Sequence, residues 1–454
     1  MYTAQIKGAV YAEFVFNNLN RAYVPKKIGG TDMFKKALSL AIALIMVLTL
    51  GAAFASCGDL GGDDKDYTIE SPLPAKELTS TVTVPSDFKI GFIFLHDENS
   101  TYDANFINAA KTVKSVLNLT DDQVLFKKNI GEDDSCYNAA KELANAGCKV
   151  IFADSFGHED YMLQAAKEFP NVQFCHATGT KAHTEKLSNY HNAFASIYEG
   201  RYLAGIAAGM KINEMIKNGT KINGKTVTAD NATMGYVGAF TYAEVVSGLT
   251  SFYLGAKSVC PTVKMKVQFT GSWYDQTMEG EAATALIAQG CVLISQHADS
   301  MGAPNACEAA GVPNVSYNGS TVKNCPDTFI VSSAINWAPY LLYISECVIK
   351  GEAIATDWCG GIAEGSVVLS DINGKAAAAG TKEALDEAVK KFKAGTLKVF
   401  NTDTFTVDGK KVESFKCEGA TEVVKDGFFA ESAVRSAPYF EFNIDGIEFL
   451  NTKF

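Results

Sequence analysis

Short apolar runs alternate along the chain with longer stretches whose apolar residues recur at helical spacing, beginning at Lys89. The short runs are rich in β-branched and aromatic residues, which favours strands, and they read KIGFIFL, QVLFKKNI, KVIFADS and NVQFCHA. The stretches between them, such as NFINAAKTVKSVL, have the length and periodicity of helices. This alternation predicts βαβ units on a parallel sheet, and right-handed crossovers place helices on both of its faces.

The same alternation starts again after a long helical stretch, EGRYLAGIAAGMKINEMI. The second set begins with ATMGYVGAF and ends with NVSYNG, and its length is similar to that of the first set. Two such sets predict an α/β fold with two Rossmann-like lobes. We expect the last helix and strands to return to the first lobe, so that residues 87–198 and 333–454 form lobe 1 and residues 199–332 form lobe 2.

An uncharged apolar stretch precedes this pattern, from residue 37 to residue 55. Two lysines stand before it, and a serine and Cys57 follow it, which is the three-part pattern of a secretory signal. The run FASC resembles a bacterial lipobox, in which the cysteine is lipidated. We therefore predict a lipoprotein signal peptide over residues 33–56 and a lipid anchor on Cys57. An ordinary signal peptide and a retained membrane span are the alternatives.

Residues 1–32 lie before the basic start of this signal, where a signal peptide has no counterpart. Gly29 and Gly30 can be encoded by a ribosome-binding sequence just upstream of the Met33 codon. We therefore expect translation to begin at Met33 and residues 1–32 to be an untranslated extension. Residues 57–86 are rich in Gly, Asp, Ser, Thr and Pro, a composition that predicts a flexible tether.

The charge of the chain narrows the classes of partner. Its 454 residues include 40 Lys and Arg against 51 Asp and Glu, a formal net charge of -11. No basic stretch is present to displace phosphate counterions, which argues against nucleic-acid binding. Removal of residues 1–56 takes away six basic and two acidic residues, a change of -4 that gives -15. We expect an acyl-anchored body of this charge to stay in solvent.

Polar and aromatic residues follow the predicted strands directly. In open α/β sheets ligands bind beyond the carboxyl ends of the strands, so we expect these residues at a ligand site. Carboxylates beside aromatic rings suit a flat, uncharged ligand, because rings stack on its faces and Asp oxygens accept hydrogen bonds from its N–H and O–H groups. The predicted ligand contacts are Asp97, Asn99, Tyr102, Asp103, Phe106, Asp154, Ser155, Phe156, Trp273, Asp299, Asn336 and Trp337.

Some of these residues have a structural alternative. Asp103 and Asp275 stand where the N-cap of a helix is expected, and Phe106 opens a helix and can belong to its buried face. The cysteines after Cys57 sit mostly in apolar runs, which is typical of buried thiols. The P-loop, GxGxxG, HExxH and GxSxG motifs are absent, and Cys and His lack zinc-ligand spacing. We therefore expect a protein that is not an enzyme and uses no cofactor or metal.

Several stretches resemble the basic membrane protein family, bacterial lipoproteins that serve as substrate-binding subunits of ABC transporters and include purine nucleoside receptors. HDENSTYDANFINAA is similar to the first motif of the family, an Asp followed nine residues later by a Phe, here Asp97 and Phe106. SIYEGRYLAGIAAG is similar to the family segment between the lobes, and GYVGAF, GSWYDQ and SQHADS are similar to later blocks. The likeness covers about residues 89–350.

This resemblance implies a bilobal fold of the periplasmic binding protein type I class, with the ligand held between the lobes. It implies that Asp97 contacts a purine base and that Phe106 stacks on it. Trp273 is the corresponding choice for a second ring, from the other lobe, and Asp299 for a contact to the ribose. The implied ligand is a small neutral molecule, in first place a purine nucleoside.

The implied mechanism is closure of the lobes about segments near residues 196–201 and 332–336. The closed form is then presented to an ABC permease with its ATPase, on the extracytoplasmic face of a bacterial cell membrane. Two alternatives stay open. The same scaffold can bind a sugar or furanose signal, or the chain can be a sensory lipoprotein that reports a ligand to a membrane regulator.

Overall fold

The structure is a computed structural model that describes residues 67–453, and these residues are built on two large β-sheets, in addition to four two-stranded ones. In chain order the strands of the two sheets are β1 (Ile90–Ile93), β2 (Val124–Lys127), β3 (Val150–Ala153), β4 (Gln173–Ala177), β5 (Tyr190–Ala195), β6 (Thr233–Gly238), β7 (Lys264–Phe269), β8 (Leu293–His297), β9 (Asn314–Tyr317), β10 (Phe329–Ile335), β11 (Asp357–Gly360), β12 (Val367–Leu369) and β13 (Ile447–Phe449). The first sheet is parallel throughout, in the order β11-β5-β4-β3-β1-β2. The second has the order β12-β10-β9-β8-β6-β7-β13, and its edge strand β12 runs antiparallel to β10.

Helices cover the faces of both sheets. In chain order they are α1 (Thr101–Val116), α2 (Asp134–Asn145), α3 (Glu159–Glu168), α4 (Ala182–Glu185), α5 (Ile197–Asn218), α6 (Ala243–Val259), α7 (Gln276–Ala288), α8 (Gly302–Ala310), α9 (Ala338–Lys350) and α10 (Thr381–Lys393). Every residue of β1 and β3 is buried, which explains why their sequences IGFI and VIFA are continuously apolar. The prediction of an α/β fold with two lobes is confirmed, and one antiparallel edge strand departs from the parallel pattern.

Helices α5 and α6 of the second lobe pack with their backbones in close contact. A Cβ atom at Gly205 would clash with the Phe252 carbonyl oxygen, and one at Gly209 would clash with the Ala256 carbonyl oxygen. Only glycine leaves room for this approach. The packing holds the first turns of α5, which carry Arg201, against strand β10 of the second sheet.

Between strands of the two large sheets, the described chain passes from one lobe to the other three times. The crossings lie between β5 and α5 near residues 195–197, between β10 and α9 near residues 335–338, and between β11 and β12 over residues 360–367. The first two lie in or beside the segments predicted at 196–201 and 332–336. The third was not predicted, because the short strands β11 and β12 carry too little periodicity to reveal that they belong to different sheets.

The C-terminal strands belong to both lobes. The predicted boundaries assign all of residues 333–454 to lobe 1. Strand β10 runs through the predicted boundary and lies wholly in the second sheet. Strands β12 and β13 also belong to the second sheet, and α9 and β11 belong to the first lobe. Strand β13 pairs with β7, with Ile447 opposite Met265, and so covers an edge that would otherwise be open.

The segment between α10 and β13 contacts both lobes. It joins the second sheet through β13, and it reaches α4 and β11 of the first lobe through Glu418 and Ser436. The His183 Nε2 atom lies 2.9 Å from a Glu418 carboxylate oxygen, and the Ser436 N–H donates to the Asp357 carboxylate at 3.0 Å. This segment therefore links the two lobes in addition to the three crossings.

Part of the predicted tether is docked on the body. Residues Thr68–Ile69 pair antiparallel with Ile372–Asn373. Leu73 is buried, and its carbonyl accepts a hydrogen bond from the Leu369 N–H at 2.9 Å. A flexible tether over all of residues 57–86 is therefore not observed from residue 67 onward, because backbone hydrogen bonds compensate for the low apolar content of the segment.

Other predictions fall on residues outside those described. These are the extension at residues 1–32, the signal peptide at residues 33–56 and the lipidated Cys57. Between residues 67 and 453, no helix combines the length and the apolarity that a membrane crossing requires. The cysteines in that part of the chain are free thiols and all but Cys359 are buried, as their apolar surroundings predicted.

A stacked pair of aromatic rings joins α1 to the start of α9 in the core of the first lobe. The Phe106 and Trp337 rings lie 4.4 Å apart with an interplanar angle of 23°. Phe106 is 0% exposed and Trp337 is 1% exposed. The Phe152 ring on β3 packs on both, at 5.5 Å from Phe106 and 5.9 Å from Trp337. These rings therefore belong to the core that fixes α1 on the first sheet.

Replacement of Phe106 by alanine tests this packing. We expect Phe106→Ala to lower the free energy of unfolding by about 3 to 5 kcal/mol, because it leaves a cavity beside Trp337. Phe156→Ala is the matched control, since this ring is 37% exposed, and we expect a loss of less than about 1 kcal/mol. Urea unfolding of the ligand-free protein measures both. Equal small losses would contradict the core role of Phe106.

Candidate ligand-binding site

A cavity lies between the two lobes, with a volume of about 370 Å³ that includes its opening to solvent. Its lining from the first lobe consists of Leu95, His96, Tyr102, Asp103, Ser155, Phe156 and Thr178. Its lining from the second lobe consists of Glu244, Trp273, His297, Asp299 and Tyr317. The mixture of rings and convergent polar groups in this lining is typical of small-molecule sites.

Strand ends place most of these side chains at the cavity. Leu95 follows β1, Ser155 follows β3 and Thr178 follows β4 in the first sheet, while His297 and Tyr317 end β8 and β9 in the second. Both sheets turn the carboxyl ends of their parallel strands toward the same cleft, which is where ligands bind in open α/β sheets.

Six of the twelve predicted contacts line this cavity, and six do not. Those that line it are Tyr102, Asp103, Ser155, Phe156, Trp273 and Asp299. The others are Asp97, Asn99, Phe106, Asp154, Asn336 and Trp337. The two sets come from the same sequence blocks, so the strand-end argument finds the right loops without choosing the right side chains within them.

The six that do not line the cavity have local structural roles or lie at the surface. Asp97 accepts hydrogen bonds from the N–H and the side-chain amide of exposed Asn99, at 3.0 and 2.8 Å, and so closes a turn. Asn336 lies just before α9, where its side-chain oxygen accepts a hydrogen bond from the Ala338 N–H at 3.2 Å. Phe106 and Trp337 stack on each other in the core, which leaves the predicted ligand contacts of both rings without access to the cavity.

Asp154, the last of the six, lies one layer behind the cavity wall and supports two residues that form it. It is 0% exposed, and its carboxylate accepts a hydrogen bond from the Leu95 N–H at 3.1 Å. Its backbone carbonyl accepts a hydrogen bond from the Tyr102 hydroxyl at 2.8 Å. Asp154 therefore positions Leu95 and Tyr102.

The pKa values of Asp154 and Asp103 are shifted in opposite directions. Burial, the negative charge of Asp103 and the hydrogen bond to it raise the pKa of Asp154 well above its ordinary value. Burial also opposes ionisation of Asp103, but hydrogen bonds from His96, Ser100 and Asp154 outweigh it and lower the pKa of Asp103. These opposite shifts favour a proton on Asp154 and a carboxylate on Asp103 at the cavity wall.

Asp103 lies close to the N-cap of α1 but is not the capping residue itself. The N-cap of α1 is Ser100, whose hydroxyl accepts from the Asp103 N–H at 3.2 Å, so Asp103 lies in the first turn instead of at the cap. The His96 N–H donates to the Asp103 carboxylate at 2.7 Å. Asp275 does cap a helix, because its carboxylate accepts from the Met278 N–H at 2.8 Å at the start of α7.

Asp299 is the second carboxyl group on the wall, and it is 6% exposed. Burial, followed by the charges of Glu279, Asp103 and Glu244, raises its pKa well above its ordinary value. The protonated form is therefore favoured, and in that form the group both donates and accepts hydrogen bonds. Its backbone carbonyl accepts from the Thr101 N–H at 3.0 Å, which ties the two lobes together.

The lobes also touch through side chains around the cavity. The Phe156 and Tyr242 rings lie 5.4 Å apart, and the His96 and Tyr274 rings lie 5.3 Å apart. In each pair one ring belongs to each lobe. The cavity is therefore closed over by contacts between the lobes, as expected of the form that encloses a ligand.

Several polar atoms at the cavity have no hydrogen-bond partner among the described residues. They are the Thr178 hydroxyl, the Tyr317 hydroxyl and both ring nitrogens of His297, and all three residues are buried. A buried polar group without a partner is costly, so such atoms point to a ligand or water that completes them. Within residues 67–453, no cluster of His, Cys, Asp or Glu side chains is arranged to hold a metal ion.

Sequence reasoning missed several lining residues. His96 and His297 stand at or just after strand ends, and Thr178 and Tyr317 satisfy the same rule without standing out by charge. Glu244 lies in the first turn of α6 instead of after a strand, so the strand-end rule has no means of finding it.

Comparisons with known proteins agree with this geometry. Residues 95–399 match the model of a family described as ABC transporter substrate-binding protein PnrA-like, or Bmp. A purine-binding protein of Brucella abortus is 32% identical over 328 residues, which are 71% of this chain and 86% of that protein. A protein of Haloferax volcanii named for glucose binding by an ABC transporter, TsgA13, is 33% identical over 203 residues, 45% of this chain and 46% of that protein.

A solved structure is similar in fold. It is an ABC transporter solute-binding protein from Conexibacter woesei, with a TM-score of 0.55 and 20% sequence identity. The match covers 68% of this chain and 98% of that one. The predicted resemblance and the predicted fold, two lobes of the periplasmic binding protein type I kind, are thereby confirmed.

The shared proton of the aspartate pair is testable in the ligand-free protein. Asp103→Asn removes the negative charge beside Asp154, so we expect the pKa of Asp154 to fall toward its ordinary value. A carbon-13 NMR titration of the aspartate carboxyl groups measures this change. Because the folded protein keeps a proton that the unfolded chain loses above about pH 3.9, Asp154 lowers stability as pH rises from there through its folded pKa.

Asp97→Asn is the control for this titration. Asp97 makes its hydrogen bonds within its own turn, so its replacement is expected to leave the titration of Asp154 unchanged. Thermal unfolding provides an independent reading, since Asp154→Asn removes the decline of stability that Asp154 causes with rising pH. If the pKa of Asp154 is unchanged in Asp103→Asn, the two carboxyl groups do not share a proton.

Proposed function

This chain belongs to the family of PnrA-like ABC transporter substrate-binding proteins, and we propose that it captures a purine nucleoside in the cavity between its lobes. The observation that carries this proposal is the lining of that cavity, in which carboxyl groups alternate with aromatic rings. Proteins of this family bind substrates for transport, and we infer no catalytic step. The likeness to a purine-binding protein supports the choice of ligand.

A purine nucleoside has groups that match both the aromatic rings and the polar side chains of the cavity. Its flat base offers two faces to rings, and Trp273 and Phe156 are available from opposite lobes. Its N–H and O–H groups are donors for the Asp103 carboxylate and for Glu244, and Asp299 is our choice for a ribose hydroxyl. Its ring nitrogens and carbonyl oxygens are acceptors for the unpartnered hydroxyls of Tyr317 and Thr178.

Closure of the lobes is the proposed mechanism of capture. The three crossings at residues 195–197, 335–338 and 360–367 are the segments about which the lobes rotate. A ligand that contacts both walls favours the closed form, because it gains its full set of contacts only there. The closed form is then recognised by a permease, whose ATPase drives uptake.

We further propose that the mature protein is anchored by lipid at Cys57 on the extracytoplasmic face of the membrane. The run FASC after the apolar stretch supports this anchor. Labelling with a radioactive fatty acid tests it, with label expected on the native chain and absent from Cys57→Ser. Label that persists in this variant would refute the anchor at Cys57.

Two other functions are distinguishable from this one. Capture of a sugar or furanose has the partial likeness to the Haloferax volcanii protein in its favour, although the aromatic content of the cavity suits a base better. A sensory lipoprotein would share the ligand site but have a kinase or regulator as its partner. Permease and ATPase genes beside this one support transport, and a histidine kinase gene supports sensing.

Calorimetry with inosine, guanosine, adenosine, ribose and glucose tests the ligand. The protein is first unfolded and refolded so that ligand carried through purification is removed. We expect at least one nucleoside to bind with a dissociation constant of about 1 μM or tighter, equivalent to about -8 kcal/mol, and no measurable binding of the two sugars. Tight binding of a sugar with no binding of nucleosides would reverse the assignment.

Asp103 and Asp97 form a matched pair for the site itself. Asp103→Asn should weaken nucleoside binding by about 1.5 to 3 kcal/mol, because the cavity loses a charged hydrogen-bond acceptor. Asp97→Asn should leave the dissociation constant unchanged, because this side chain closes a turn outside the cavity. The opposite pattern, measured by the same calorimetry, would move the site from the cavity to the turn at Asp97.

A further inference from the structure

Arg201 is an arginine of α5 that is 0% exposed and lies directly beneath the second-lobe wall of the cavity. Its guanidinium donates to the Ser295 hydroxyl at 2.7 Å and to the Tyr236 hydroxyl at 3.2 Å. It also donates to the Ser316 carbonyl at 3.2 Å and to the Ser333 hydroxyl at 3.3 Å. These acceptors come from four neighbouring strands, β8, β6, β9 and β10.

All of these acceptors are neutral. Among residues 67–453, no carboxylate lies within ion-pair distance of Arg201. The guanidinium instead packs on aromatic rings, with its central carbon 4.9 Å from the Phe252 centroid and 5.1 Å from the Tyr317 centroid. Hydrogen bonds and rings offset the cost of burying the charge, but they do not cancel it, so its field acts on the cavity wall.

Two unpartnered groups stand between this charge and the cavity. The Tyr317 ring stacks on the guanidinium, and its hydroxyl has no partner among the described residues. The His297 ring lies 4.5 Å from the Tyr317 ring, and its Nε2 atom lies 3.7 Å from a Glu244 carboxylate oxygen. Glu244 and His297 are therefore close enough to form a charged pair if the ring takes a proton.

The protonation of His297 decides how much negative charge Glu244 keeps for the ligand. Burial lowers the pKa of His297, and the charge of Arg201 lowers it as well, whereas Glu244 opposes both. The titratable or charged groups around the ring are Glu244 on α6, Arg201 on α5, Tyr236 on β6, Tyr317 on β9 and Asp299 after β8. Arg201 is the only cation in this set.

We infer that Arg201 is a positioning residue for the ligand site, which holds Tyr317 in place and, together with burial, keeps His297 neutral so that the Glu244 carboxylate is free to accept hydrogen bonds from the ligand. The second-lobe wall then requires a ligand with donors for Glu244 and an acceptor for the Tyr317 hydroxyl. This role presumes the ligand site proposed above. A purine nucleoside carries both kinds of group.

The experiment measures inosine affinity against pH, between about pH 5 and 8, in the native chain and in Arg201→Met. In the variant His297 gains a proton at acid pH and pairs with Glu244. We expect its affinity to fall more steeply with decreasing pH than that of the native chain, by up to about tenfold per pH unit. A loss of affinity that is equal at every pH would show that Arg201 only fastens the strands.

Two further variants separate charge from packing. Arg201→Lys keeps a positive charge and is expected to keep the native pH dependence. His297→Gln added to Arg201→Met is expected to remove the extra pH dependence, because the titrating ring is gone. Extra pH dependence that survives in the double variant would overturn the inference, since it would come from another group.

A readout that needs no ligand keeps the inference separate from the proposed function. Nitrogen-15 NMR of the histidine rings, with His297→Gln for assignment, should show His297 neutral across this pH range in the native chain and titrating in Arg201→Met. If inosine does not bind the native protein, the proposed ligand is wrong, and these ring signals alone decide the role of Arg201. Unchanged signals in Arg201→Met would overturn it.

If Arg201→Met does not fold, the histidine-ring NMR measurement is made on Glu244→Gln instead. Glu244 lies at the cavity and not in the core, so its replacement is expected to leave the fold intact. With a neutral His297, loss of the carboxylate should leave the ring signals at pH 7 as they are. A change from imidazolium to imidazole on this substitution would show that the ring was protonated in the native protein. That result would contradict the role given to Arg201.

Discussion

The two sheets of this protein turn the carboxyl ends of their parallel strands toward one cleft, and the rest of the molecule depends on this arrangement. Several βα connections bring polar or aromatic side chains to the cleft, so a site with many chemical groups forms without any long loop. The three crossings join the two sheets, and in the proposed mechanism they are the segments about which the lobes rotate. The proposed ligand site and the proposed closure therefore both depend on this topology.

Much of this topology could be predicted from the sequence, because fully buried parallel strands leave continuous apolar runs such as IGFI and VIFA. The choice of side chains at the cleft could not. Phe106 and Trp273 are both aromatic residues near strand ends, but Phe106 sits on the face of α1 that meets α9 and is buried against Trp337. A single sequence carries no sign of which helix packs on that face.

The C-terminal part shows a second limit of sequence reasoning. Residues after 400 lie beyond the family match, and β13 joins the edge of the second sheet although it stands more than 150 residues after β7, its neighbour. Pairing at such a distance has no local signal. The segment before β13 also holds the first lobe through Glu418 and Ser436, so any rotation of the lobes must stretch or release those contacts.

Charge in the cavity is controlled by burial more than by the number of acidic residues. Three acidic side chains line it and Asp154 stands behind them, yet the raised pKa values of Asp154 and Asp299 favour their neutral forms. Asp103 remains a carboxylate because several donors surround it. The buried charge of Arg201 on the opposite side offsets part of the remaining negative potential. A neutral ligand rich in donors and acceptors fits such a cavity, because Asp103 and Glu244 accept hydrogen bonds and a protonated Asp299 can donate one.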